Sequence, residues 1–263
     1  MPEGHTIHRA ARRQNAVLAG HAIRTSSPQG RFAAGAAALD GRVLLGVEAV
    51  GKHLFQRWEG DEVLHIHLGL FGRFREHPTP PPPPRGALRL RMEAPEVTID
   101  LSGPTACELV GEEGMARIVA RLGEDPLRAD ADPGRALADL ARRRVPIGAA
   151  LLDQRIIAGL GNVFRAEVLF ICGIDPEREA RSLSDEELRC VWETSSRVLH
   201  DGVRRKGRIV TTDPQEIGRP VSRMRRAERT YVYGQETCRR CGSDIGTVTL
   251  ANRPCYRCPV CQG

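Results

Sequence analysis

Four cysteines near the C-terminus constrain this 263-residue chain more than any other feature. Cys238 and Cys241 form one Cys-x2-Cys pair, Cys258 and Cys261 form a second, and 16 residues lie between the pairs. That spacing suits a four-thiolate zinc site. Five of the eight cysteines fall in the last 26 residues, and the polar opening Pro2-Glu3-Gly4-His5 carries no secretory leader, which favours metal over disulfides. Cys255 offers a rival register with Cys258. There Pro259 would follow the second thiolate, and proline has no N–H to support the sulfur. The expected ligands are therefore Cys238, Cys241, Cys258 and Cys261, with Cys255, Cys107, Cys172 and Cys190 as packing residues. No histidine or open position is implied, so the single zinc ion expected here is structural. Between the pairs, residues 247–250 read as half of a β-hairpin that presents Asn252-Arg253-Pro254.

The rest of the chain divides by texture. A helix is expected over 6–18, where Ile7, Ala10, Ala11, Gln14, Val17 and Leu18 recur at helical spacing. From about 21 to 109 the pattern is short strands broken by Gly and Pro, clearest in the alternation of Leu64, Ile66 and Leu68. Six prolines in the seven residues 78–84 make a stiff surface loop. Helices dominate after about 114. Asp132-Pro133 begins one, 147–157 forms another, Asn162 caps a third running to about 171, and Ser184 with Glu187 forms a capping box for a fourth. Domain boundaries are expected near 125 and 230, giving segments 1–125, 126–229 and 230–263.

Charge narrows the partner. The net charge is +6. Residues 203–229 hold nine basic side chains against three acidic ones, so this segment alone accounts for the excess. Such a stripe suits a polyanion, because neutralised phosphates release counterions. No stretch approaches the ~20 apolar residues of a membrane span. Only Lys52 and Lys206 among the 39 cationic residues are lysines.

Four separate elements, in order, then carry a resemblance. Met1-Pro2-Glu3-Gly4-His5, Gly51-Lys52-His53-Leu54, Gly159-Leu160-Gly161-Asn162-Val163-Phe164 and the terminal four-cysteine finger bearing Arg253 resemble the formamidopyrimidine-DNA glycosylase/endonuclease VIII family, most of all its actinobacterial endonuclease VIII members. The resemblance implies an α+β multidomain chain: an N-terminal β-sandwich with flanking helices, a helix–two-turn–helix domain, and a zinc-finger β-hairpin, with damaged DNA between the halves. It implies a cytoplasmic monomer.

It also assigns roles. Pro2, once Met1 is removed, becomes a secondary amine that attacks the anomeric carbon of a damaged nucleotide. An α-amine titrates near ~8, so a neutral fraction exists at physiological pH. Glu3 is the general acid/base. Lys52 serves near the 3′ phosphate, and Arg253 clamps flanking phosphates and assists δ-elimination. Asn162, Arg121 and Arg165 are DNA contacts, and Leu70 and Phe71 fill the hole left by the flipped nucleotide. The lesion-binding loop of the 8-oxoguanine branch is not apparent after Gly202, and Leu101-Ser102-Gly103-Pro104 replaces its Arg-Phe-Gly element. The expected activity is removal of oxidised pyrimidines with β,δ-elimination. The alternatives are a formamidopyrimidine/8-oxoguanine glycosylase and a non-catalytic zinc-finger DNA-binding protein.

Overall fold

A computed structural model describes residues 2–263, which fall into two compact units meeting at Arg121 and Leu122. The N-terminal unit opens with α1 (Gly4–Leu18) and continues through β1 (Arg24–Ser26), α2 (Ala33–Leu39), β2 (Leu44–Val50), β3 (His53–Trp58) and β4 (Glu62–His67). It closes with β5 (Arg73–Pro78), β6 (Leu88–Glu93), β7 (Val97–Ser102), β8 (Ala106–Leu109) and α3 (Gly111–Val119). Its strands form two antiparallel sheets, ordered β1-β6-β7-β5 and β2-β3-β4-β8. Leu54, Leu64 and Ile66 from one sheet and Leu90, Met92, Ile99 and Leu101 from the other share a single apolar core, which makes the unit a β-sandwich.

α1 lies over the β2–β3 edge. Ile7, Ala11 and Leu18 enter the core, and the buried Gln56 amide donates to Gln14 Oε1 at 2.7 Å. Val47 N–H donates to Asn15 Oδ1 at 2.9 Å. These contacts hold the helix on the sheet, and Pro2 and Glu3 immediately precede its first residue, Gly4. The short α2 interrupts the strand pattern expected over 21–109. Its Ala-rich run buries Ala36 and Leu39, too short a signal for periodicity to declare.

The C-terminal unit contains α4 (Pro133–Ala141), α5 (Ile147–Ala150), α6 (Asn162–Ile171), α7 (Asp185–Arg204) and α8 (Pro214–Ile217), then the hairpin β9 (Gly246–Leu250) and β10 (Arg253–Arg257). The caps expected from sequence form: Asp132 Oδ1 accepts from Gly134 N at 2.9 Å, and Ser184 and Glu187 make the reciprocal capping box. The helix expected over 147–157 stops at Ala150. Glu124 N–H donates to Ile156 O, and Ala158 N–H donates to Glu124 O. Those groups are therefore spent across the fold rather than along a helix. Cys172 and Cys190 are half-buried and joined in a disulfide, with Cα atoms 5.9 Å apart, whereas Cys107 packs in the core as expected. No helix among the described residues is long and apolar enough to cross a membrane.

Candidate functional site

In the N-terminal unit, tight turns present the candidate side chains. Glu3 is the N-cap residue of α1, and its carbonyl accepts from Thr6 N–H at 2.9 Å. Its side chain is fully buried, while Pro2 beside it keeps part of its surface. Met1, whose removal the amine chemistry needs, lies outside the described residues. Val50 pairs with His53, so Gly51 and Lys52 are the two central residues of the β2–β3 turn. Gly51 takes φ +58°, the glycine-favouring first position of a tight hairpin, and this places Lys52 at the tip.

Gly69-Leu70-Phe71-Gly72 forms a second turn, between β4 and β5. Gly72 N–H donates to Leu68 O at 2.9 Å, and a Cβ on Gly72 would sit 2.2 Å from that oxygen. The two glycines leave Leu70 48% and Phe71 85% exposed, so neither is a core residue. Arg121 lies exposed just beyond α3.

The C-terminal unit positions its candidates differently. Ala251 (φ +50°) and Asn252 (φ +59°) are the central residues of the β9–β10 turn, with Arg253 pairing opposite Leu250. Two successive positive φ values match the hairpin turn whose twist suits flanking strands. Arg253 is half-buried at the start of β10.

α6 is buried from Asn162 to Phe170, as befits a helix with apolar residues on every side. Its two polar residues near the start face the hairpin. Asn162 Nδ2 donates to Pro254 O at 2.9 Å, and Arg165 Nη2 donates to Asn162 Oδ1 at 2.8 Å. Arg165 also donates to Gly148 O, Leu250 O, Arg253 O and Pro254 O.

Two expectations change here. The N-cap of α6 is Gly161 rather than Asn162, whose side chain points to the hairpin instead. Arg165, expected to meet DNA, is fully buried and braces the backbone that carries Arg253. Structure therefore brings Asn162, Arg165 and Arg253 together, with the first two holding the third.

A further anchor escaped the sequence reading. Glu167 is fully buried and its two oxygens accept from Tyr231 N (2.7 Å), Val232 N (2.9 Å), Tyr233 N (2.8 Å) and the Thr211 hydroxyl. Burial pushes its carboxyl pKa up, and the four donors oppose that rise. The signal was available: a carboxylate inside the apolar run Val163–Ile171 must be paired.

The four Sγ atoms of Cys238, Cys241, Cys258 and Cys261 lie within 4.8 Å of one another, with Cys241–Cys258 at 3.4 Å and Cys238–Cys261 at 3.8 Å. Tetrahedral zinc with bonds of ~2.3 Å spaces its sulfurs about 3.8 Å apart, so the donor set fits that ion. Cys255 is fully buried in the adjoining apolar cluster, outside the set. Gln262 ties the module down, accepting from Cys258 N at 2.8 Å and donating to Ile174 O at 2.9 Å.

A β-sandwich unit with an N-terminal Pro-Glu pair, followed by a helical unit carrying a four-cysteine hairpin, defines a class of DNA-repair glycosylases. Family models for the formamidopyrimidine-DNA glycosylase N-terminal domain and H2TH domain match residues 1–104 and 122–213, and the chain belongs to the formamidopyrimidine-DNA glycosylase/endonuclease VIII family. It is 46% identical over 268 residues to "Endonuclease 8 1" of Mycobacterium tuberculosis, covering all of both chains. It is 34% identical over 277 residues to a formamidopyrimidine-DNA glycosylase of Thermus thermophilus, covering 100% of this chain and 99% of the other. Among solved structures, the Lactococcus lactis formamidopyrimidine-DNA glycosylase bound to an abasic-site DNA matches in fold with a TM-score of 0.82 at 22% identity, covering 99% of each chain.

Proposed function

We propose that the chain is a bifunctional DNA glycosylase and abasic-site lyase that removes oxidised pyrimidines through a Schiff base on Pro2. The observation that carries this reading is the Pro2-Glu3 pair at the start of α1, a partly exposed proline beside a fully buried glutamate. With Met1 gone, the Pro2 amine attacks C1′ and the base leaves, giving an iminium. Glu3 protonates the opening sugar and then removes the proton whose loss expels the 3′ phosphate. Lys52 acts at that phosphate, and Arg253 holds the flanking phosphates and aids loss of the 5′ phosphate. Leu70 and Phe71 supply the exposed apolar surface to replace a flipped nucleotide. Asn162 and Arg165 contribute by holding the Arg253 hairpin, and Arg121 is a peripheral contact. Segments 1–125, 126–229 and 230–263 correspond to catalysis, duplex grip and a zinc-held finger. One structural zinc, damaged DNA as partner, a monomeric state and a cytoplasmic location complete the reading.

Borohydride trapping tests it. Met1-processed protein incubated with an abasic-site oligonucleotide should form a covalent adduct, and a retained N-terminal extension should abolish it. Failure of the processed protein to trap removes the enzyme reading. The 34% and 36% identical relatives named formamidopyrimidine-DNA glycosylase support a second reading, which faster release of 8-oxoguanine than of thymine glycol or dihydrouracil would establish.

A further inference from the structure

The segment that follows α6 joins two parts of the C-terminal unit. Cys172, the residue just after α6, is bonded to Cys190 of α7, and residues 173–177 grip the cysteine module. Ile174 O accepts from Gln262 Nε2 at 2.9 Å, and Gln262 Oε1 in turn accepts from Cys258 N at 2.8 Å. Asp175 and Glu177 pair with Arg257 at 2.6 and 3.3 Å. Gly173 packs so closely that a Cβ there would lie 3.7 Å from Cys261 O. Residues 173–177 are thus a platform for the module, and the disulfide ties one end of that platform to α7.

Cys172 and Cys190 differ from every other cysteine among the described residues. Cys238, Cys241, Cys258 and Cys261 form the metal cluster. Cys107 and Cys255 are buried; burial pushes the Cys107 thiol up to about 12 and raises Cys255 as well, so neither forms a reactive thiolate. Cys172 and Cys190 keep part of their surface, and Thr194 Oγ1 lies 3.7 Å from the first Sγ and 3.9 Å from the second. A hydroxyl within reach of both sulfurs can donate to whichever becomes a thiolate. An accessible disulfide is open to attack by dithiols, which a cytoplasm supplies.

We propose that Cys172–Cys190 is a reversible oxidation site whose closed form steadies the platform and so slows the loss of zinc from the module. The inference rests on the zinc-held finger and the cytoplasmic location proposed above. Opening consumes a dithiol. One of its thiolates attacks a disulfide sulfur, its second thiol resolves the mixed disulfide, and Cys172 and Cys190 are left as thiols. Closing consumes a hydroperoxide. One cysteine thiolate takes an oxygen from it, becoming a sulfenic acid and releasing water or an alcohol; the other cysteine then attacks that sulfur and expels water. The cysteines lose two electrons and the peroxide gains them. The closed bond spans a sequence separation of 18 residues, so it removes open states in which the platform swings away from α7.

Zinc release from the full-length protein to an excess of a coloured chelator tests this. Protein purified without reductant should carry one zinc and resist alkylation at Cys172 and Cys190. The double variant Cys172→Ser/Cys190→Ser should release its zinc about tenfold faster. The faster rate should not depend on urea below the unfolding transition, because local opening exposes little surface. An unchanged rate overturns the proposal. So does a rate that climbs with urea as steeply as global unfolding, which would make the bond a general staple of the unit.

Wild-type protein opened by a dithiol, then freed of it by gel filtration, should match the double variant, which covers a variant that folds poorly. Hydroperoxide should afterwards restore both the bond and the slow rate. Cysteines still open to alkylation after hydroperoxide, or zinc lost before they close, overturn the proposal. Metal content measured at the start separates the two readings: a chain without zinc sinks the zinc-held finger itself, whereas a zinc-loaded chain with unchanged release sinks only the oxidation site.

Discussion

The two units hold their functional residues by opposite means. In the N-terminal unit, Lys52, Leu70 and Phe71 ride on turns whose backbone geometry does the positioning, and Leu70 and Phe71 are left exposed. In the C-terminal unit, a hairpin turn is not enough: buried polar groups, Arg165 and Glu167, pin the segments that carry Arg253 and the cysteine module. Side chains on turns can be changed without unfolding anything, whereas the buried clamps cannot. Glu3 is the exception that tests the contrast, because it is buried and yet assigned to chemistry. Glu3→Gln keeps the volume and removes the proton-transfer group. The lyase rate on an abasic substrate should fall by about 10²- to 10⁴-fold with DNA affinity retained. A wild-type rate would move Glu3 into the structural class and break the comparison.

The next effect falls on stability. Glu167→Gln replaces one acceptor oxygen by an N–H₂ group, and the less costly orientation turns that group toward Tyr231 N–H and the Thr211 hydroxyl, which can rotate to accept, leaving the Tyr231 N–H unsatisfied. An orphaned group costs roughly 1–3 kcal/mol, so a loss of about 2 kcal/mol is expected in denaturant unfolding of the C-terminal unit. An equal loss in the N-terminal unit, or none in either, would contradict the clamp.

The same contrast explains what the sequence could reveal. The cysteine spacing, the caps at Asp132 and Ser184, the alternation of β4 and the hairpin before Arg253 are local patterns, and local patterns survive in a one-dimensional reading. What was lost depended on contacts distant in sequence. Arg165 reads as one more surface arginine until Gly148, Leu250 and Pro254 are brought around it. The helix predicted over 147–157 ends at Ala150, and the backbone beyond it pairs instead with a segment distant in sequence, Gly123 N–H donating to Gln154 O and Glu124 N–H to Ile156 O. The Cys172–Cys190 disulfide joins the end of α6 to α7 and has no signature in spacing alone.

Acid should also separate the two units. His53 titrates at about 3 in the fold against 6.5 when free, and burial lowers His67 as well. A depressed folded pKa means the unfolded chain binds more protons as pH falls, so stability present above about 6.5 is lost progressively toward 3. For His53 this is on the order of 2 kcal/mol by pH 5. Unfolding of the N-terminal unit should therefore weaken between pH 7 and 5 by that much more in the wild type than in His53→Asn. Parallel pH curves for the two proteins would show that the ring is not held neutral by the fold.

The smallest effect is the sharpest test of the turn-borne class. Phe71 is 85% exposed, so Phe71→Ala removes little buried surface and should change folding stability by less than about 0.5 kcal/mol. If the ring fills the space vacated by a flipped nucleotide, its loss leaves unstacked bases without a replacement, and affinity for lesion-containing duplex should drop roughly tenfold. Undamaged duplex, from which nothing is flipped, should bind as before. Equal weakening on both duplexes would make Phe71 a general contact, and a large loss of stability would place it with the clamps. Selective weakening with an intact fold is the outcome that only a turn built to expose an aromatic ring predicts, because the Gly69 and Gly72 backbone, not the ring, holds that turn in shape.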